Sequence, residues 1–164
     1  MGAQELSALL WKERELLELL TFKLEEEQLI LTSGKSRWLS HATREVEQVV
    51  DRLRMAGLGR TVEVAAVAKE WGTEESATLR DLVAQAPAGP WGEIFEGHLK
   101  AMTELTARVR ELRDANEQFL RAAARSAQET IAGMGPESGT YDSRGDSRGG
   151  TDSGSGARLF DKDL

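Results

Sequence analysis

The sequence predicts an all-α fold: an antiparallel helical bundle or coiled-coil hairpin with a long C-terminal helix, followed by a disordered tail. Three observations carry this. Apolar residues recur three, four and seven positions apart in three long stretches, the spacing of amphipathic helices that pack in bundles. Glycine and proline punctuate the chain between those stretches. Eight of the 16 glycines fall between Gly133 and Gly156, which divides the 164 residues into a helical domain, 1–132, and a Gly/Ser/Asp-rich tail, 133–164.

The first helix is expected from about Gln4 to Thr32, where Leu6, Leu10, Leu17, Leu20, Leu24 and Leu31 form the stripe, widened by Leu9, Leu16 and Ile30. Glu13 and Glu27 interrupt that stripe and read as its solvated edge. Ser33-Gly34 is a stop signal, since glycine accepts the left-handed conformation that closes a helix. Leu39, Ala42, Val46, Val49 and Leu53 then mark a second helix from about Ser36 to Met55. A link this short favours an antiparallel hairpin. Ala56-Gly57-Leu58-Gly59 is expected to end the second helix. Two short helices should follow, about Thr61 to Trp71 and Glu74 to Gln85, the second capped by Thr73.

Pro87-Ala-Gly-Pro90 breaks the chain again, and from Trp91 a long helix runs to about Ile131. Met102, Leu105, Val109, Leu112, Asn116, Phe119 and Ala123 lie on one heptad seam, with Ile94, Phe95, Leu99 and Leu120 beside it. Gly133, Gly135 and Pro136 end this helix. The tail, with Asp142-Ser-Arg-Gly145 repeated as Asp146-Ser-Arg-Gly149, holds too little apolar surface to offset the entropy of ordering.

At 1.5 Å per residue the three main helices should be roughly 45, 30 and 60 Å long. The last outruns its partners, so its seam near Phe119, Leu120 and Ala123 lacks an internal cover, as a helix-docking or self-association surface would. The alternative is that the short middle helices fold over the seam. Asn116 stands at an otherwise apolar position, where a buried amide specifies register or partner geometry; a partly solvated amide at a frayed end is the other reading.

Composition excludes several chemistries. With no cysteine and only two histidines, His41 and His98, neither a disulfide framework nor a thiolate or histidine-rich metal site can be built. A net charge of −7 opposes electrostatic nucleic-acid binding. The N-terminus lacks the basic region and apolar run of a signal peptide, and no apolar stretch approaches the roughly 20 residues of a membrane span. A cytoplasmic protein without membrane insertion is expected.

Motifs for catalysis are missing. Gly89-Pro-Trp-Gly-Glu-Ile-Phe-Glu-Gly97 has glycines but no Lys-Ser/Thr pair and no preceding strand, so it is no phosphate loop. Glu25-Glu26-Glu27 reads as a charged helix face rather than a metal site, because adjacent helix positions point apart. Ala68, Gly72 and Leu79 fall near helix-turn-helix positions within Val64–Ala86, but the segment carries more acidic than basic residues, which argues against a DNA-binding regulator. Arg144-Gly145-Asp146 is a coincidence of the repeat. Tyr141, the single tyrosine, can anchor a short linear motif or be an incidental aromatic. No enzyme, cofactor or metal is expected.

Taken in order, the chain resembles the FlgN-like flagellar export chaperones. The resemblance rests on Leu9-Leu10-x-x-Glu13 and Leu16-Leu17-x-x-Leu20, then Arg60 followed by Glu63 to Gly72, Thr78-Leu79 and Leu82. After Pro90-Trp91 come Leu105-x6-Leu112-x3-Asn116-x3-Leu120 and, in the tail, Thr140-Tyr141-Asp142. The resemblance implies a cytoplasmic helical chaperone that binds hook-associated (filament-junction) proteins at their C-terminal helical region, prevents premature assembly and delivers them to the membrane export gate of the flagellar secretion apparatus. The long C-terminal helix is similar to the family's client-binding element and a tail tyrosine to its export-gate contact; together with the heptad seam this makes Val109, Leu112, Asn116, Phe119, Leu120 and Ala123 the expected client-binding residues and Tyr141 the expected export-gate contact. The rival from another class is a structural coiled coil that self-associates through the same seam.

Overall fold

The computed structural model of the chain describes residues 2–135. Four α-helices follow one another: α1 (Gly2–Ser33), α2 (Leu39–Glu70), α3 (Leu79–Ala84) and α4 (Trp91–Gly133), with one 3-10 turn at Ser36–Trp38 between the first two. The described residues contain no strand.

The leucine stripe of α1 is the axis of the molecule. Leu6, Leu10, Leu17, Leu20 and Leu24 are all buried. Pairings across the hairpin descend α2 as they climb α1: the Gly2 amide donates to Glu70 at 3.3 Å, Arg60 pairs with Glu13 at 2.6 Å, and Lys23 pairs with Glu45 at 2.7 Å. The two helices are therefore antiparallel. On the other flank, Ser7 meets His98, Glu25 meets Arg108 and Glu27 meets Asn116, so α4 runs parallel to α1. The backbones of α2 and α4 stay apart, and α1 packs against both.

The core tapers. At the end where α1 begins, Leu6, Leu10 and Leu17 pack with Val64, Val67 and Ala68 of α2, Leu79 and Leu82 of α3, and Phe95 and Met102 of α4. Trp71 and Trp91 close this end, with ring centroids 5.8 and 5.7 Å from Phe95. Toward the hairpin turn the apolar core narrows to a smaller cluster of Leu20, Leu24, Val49 and Leu112.

The second helix does not stop at Met55. It continues through Gly57 and Gly59, neither of which takes a positive φ, to Glu70. Two helical glycines cost about 2 kcal/mol relative to alanine. Burying Val64 and Val67 on α1 returns about 1.5–3 kcal/mol each, so packing outweighs propensity. The expected short helix at Thr61–Trp71 is thus the last third of α2. Gly72, with φ 70, closes α2 in a Schellman motif: its N–H reaches the Lys69 carbonyl at 3.2 Å and the Thr73 N–H reaches Ala68 at 2.8 Å. Thr73 therefore ends a helix instead of starting one.

The cap of α3 is Thr78. Its hydroxyl accepts from the Asp81 N–H at 3.3 Å, and its own N–H donates to Asp81 Oδ2 at 2.8 Å. The Thr-x-x-Asp pattern of this capping box stands in the sequence five residues after Thr73. With six residues, and Leu79 and Leu82 buried in the wide end of the core beside α4 and α2, α3 is too short to serve as a recognition helix. It covers the start of α4, not the seam near Phe119.

Candidate functional site

Asn116 fixes the height of α4 against α1. Its Nδ2 donates to the Leu24 carbonyl at 2.9 Å and to Glu27 Oε1 at 3.2 Å, and the residue is 2% exposed. From this level α1 runs on six residues, from Glu27 to its end at Ser33, while α4 runs on 17, from Asn116 to Gly133. The surplus of 11 residues projects roughly 16 Å past the end of α1. Every residue from Glu117 to Gly135 is exposed.

The projecting segment stays helical on local terms. Ala122, Ala123, Ala124, Ala127 and Ala132 supply the best helix former, and Arg121 pairs with Glu117 one turn below. Its apolar face continues the face buried lower down: Leu112, Asn116, Phe119, Ala123, Ala127, Thr130 and Met134 step along α4 by three and four. Phe119 is 43% exposed, Leu120 40%, Ile131 72% and Met134 70%. At the hairpin turn between α1 and α2, Trp38 is also exposed, with the Arg37 guanidinium 4.9 Å from its ring centre.

The structure divides the six seam residues named from the sequence. Phe119, Leu120 and Ala123 stand free on the projection. Val109 is half-buried against the upper core, and Leu112 lies within it. Leu112 and Asn116 are closed to any partner while α1 stays in place, because the lower seam already has α1 as its cover. Asn116 is a register pin inside this fold, neither a frayed-end amide nor a free docking group. Tyr141 lies outside the described residues, as do the repeats around Arg144-Gly145-Asp146.

Glu13 and Glu27 are not a solvated edge either; each is 6% exposed. Burial raises both carboxyls above their ordinary value. The Arg60 guanidinium opposes the rise at Glu13; hydrogen bonds from Asn116 and Thr43 oppose it at Glu27, where the charge of Glu47 adds to it. Polar letters inside the α1 stripe hid this from the sequence, since their partners lie 47 and 89 positions away. Trp38, Leu29 and Phe22 are further exposed apolar side chains on the hairpin, which periodicity alone does not mark as surface.

Among the described residues no group of three or more His, Cys, Asp or Glu side chains is placed to hold a metal ion. No helix among them is long and apolar enough to cross a membrane. A family model described as FlgN protein matches residues 1–149. No curated protein and no solved structure matches the chain.

Proposed function

The chain belongs to the FlgN family of flagellar chaperones, and from that premise we propose that it is a cytoplasmic export chaperone whose projecting end of α4 receives the C-terminal helical region of a hook-associated protein. The observation that carries this reading is the uncovered apolar face at Phe119, Leu120 and Ala123, continuous with a face that already packs against a helix below. An amphipathic client helix seated there would extend the α1–α4 packing upward and take its own apolar stripe out of water, which blocks premature assembly. Leu112 and Asn116 form the floor of the site and set its height.

In the same proposal, residues 1–132 are the chaperone domain and the remainder, with Tyr141, makes the contact with the membrane export gate. The experiment is calorimetry of the full chain with the C-terminal helical segment of a hook-associated protein. Phe119→Asp should weaken binding at least tenfold while circular dichroism stays unchanged; full-strength binding by that variant would remove the projection from the client site. Deleting the residues after Ile131 should spare client affinity and impair export. Loss of affinity on that deletion would move the site into the tail. The same exposed face also suits a second copy of the chain, and concentration-dependent self-association that excludes the client would favour that structural reading.

A further inference from the structure

A second concave surface lies at the other end of the molecule, between the first turns of α4 and the N-terminal half of α1. It is an open groove of about 630 Å³, within the range of ligand sites. Phe119 lies 21 residues further along α4 than His98, roughly 32 Å away, so this groove shares nothing with the projection. Its walls are apolar: Trp11, 53% exposed, on α1, and Trp91 and Ile94, the latter 38% exposed, on α4. Trp91 is held against the fully buried Phe95.

One polar group sits among these walls without a charge partner. The Arg14 guanidinium lies over the Trp11 ring, 4.2 Å from its centre. One of its Nη groups is 3.4 Å from His98 Nδ1, and the other imidazole nitrogen is 3.2 Å from the Ser7 hydroxyl. His98 is 2% exposed and also meets the Trp11 ring edge-on at 5.0 Å. Burial and the neighbouring guanidinium hold its pKa below the ordinary value, so a neutral imidazole accepts from Arg14. No carboxylate among the described residues lies within ion-pair distance of Arg14, and its buried Nε has no hydrogen-bond partner. A guanidinium carries five donors, and those of Arg14 that are not turned to His98 are open to an anionic acceptor in the groove.

Gly97 shapes the groove. It lies inside α4, where glycine costs about 1 kcal/mol against alanine, and it borders the groove. A Cβ built there would meet nothing within 4 Å, so the protein's own packing does not require glycine. By contrast, a Cβ at Gly92 would come within 3.1 Å of Ala86. The missing side chain at Gly97 leaves the groove open.

We propose that this groove is a second protein-docking site, which takes a partner segment in which a bulky apolar side chain stands beside a carboxylate. The apolar side chain enters between Trp11, Trp91 and Ile94, and the carboxylate binds the free donors of Arg14. His98 is a positioning residue: it holds the guanidinium and the Trp11 ring in place and does not itself touch the ligand. Glu93, exposed on the rim, can accept from a backbone N–H of the bound segment and disfavours a second acid at that point.

The test is selection of a phage-displayed random dodecapeptide library on the full chain, followed by calorimetry of the enriched peptides. The expected result is enrichment of sequences with Phe, Trp or Leu next to Asp or Glu. Arg14→Gln should weaken their binding at least tenfold, as should Gly97→Leu, which fills the groove from a position with room for a side chain. Phe119→Asp should bind them as the parent does, which keeps this site separate from the proposed client site. Circular dichroism should be the same for all three variants. Failure to enrich any peptide, enrichment without acidic residues, or full-strength binding by a correctly folded Gly97→Leu would overturn the proposal.

Discussion

The Asn116 side-chain amide donates to the Glu27 carboxylate at 3.2 Å across the α1–α4 interface, with both residues almost entirely out of water. This one contact sets which part of α4 is packed and which part projects. Glu27 is a buried carboxylate with no cation beside it, and Asn116 is the amide that makes its burial tolerable.

Removing the amide should therefore be felt more than removing the charge. Asn116→Ala leaves Glu27 and the Leu24 carbonyl short of a donor, an expected loss of about 1–3 kcal/mol in urea unfolding. Glu27→Gln removes the charge that burial opposes, and should be no less stable than the parent at neutral pH. A large loss in Glu27→Gln and none in Asn116→Ala would mean that the contact does not hold the two helices in register.

The pH dependence has opposing parts. Burial lowers the pKa of His98 from 6.5, so the folded state binds that proton less tightly than the unfolded state; its contribution is complete above about pH 6.5 and is lost as pH falls through the lowered value. Glu13 and Glu27 are raised from 4.5, so their contribution is present below that value and is lost as pH rises through the raised ones. The urea midpoint of the parent should exceed that of His98→Gln by a margin that shrinks between about pH 7.5 and pH 5. A constant margin would show that His98 does not titrate against folding.

Leu112 and Phe119 sit on one face of one helix, one turn below and one turn above the edge of the core. Leu112→Ala should lower stability by about 2–5 kcal/mol, because a buried side chain leaves a cavity. Phe119→Ala should stay within about 0.5 kcal/mol of the parent in the same unfolding measurement. Similar losses for the two would mean that the projection is covered in the free protein.

Gly57 and Gly72 should respond with opposite signs. Gly57 lies within α2 at a position where a Cβ meets nothing within 4 Å, so Gly57→Ala should stabilise by about 0.5–1 kcal/mol. Gly72 has φ 70, which an L side chain resists, so Gly72→Ala should destabilise by about 1–2 kcal/mol. Thermal midpoints of the two variants check both. A loss of stability in Gly57→Ala would mean that the glycines break α2 after all.

Much of the helical plan was legible locally. The leucines of α1, the stop at Gly34, the proline break before Trp91 and the length of α4 are written in neighbouring residues, and the structure reproduces them. The same local reading failed at Gly57-Leu58-Gly59, because glycine's preference is weak beside the burial of Val64 and Val67 against a helix some 55 positions earlier in the chain. It failed at Thr73 because a threonine after a helix and a threonine before one look alike until the hydrogen bonds are drawn.

By itself, then, the sequence determined that the chain is helical, where most of its helices begin and end, that α4 exceeds its partners in length, and the resemblance to the FlgN family that the match over residues 1–149 bears out. Only the tertiary structure decided which letters of the seam are core and which are surface. The reason is physical: helical periodicity states which residues share a face, but burial depends on what stands opposite. The end of α1 at Ser33 leaves Phe119 in water, whereas Leu24 and Glu27 opposite Asn116 make the interior hydrogen bonds that fix the height of α4.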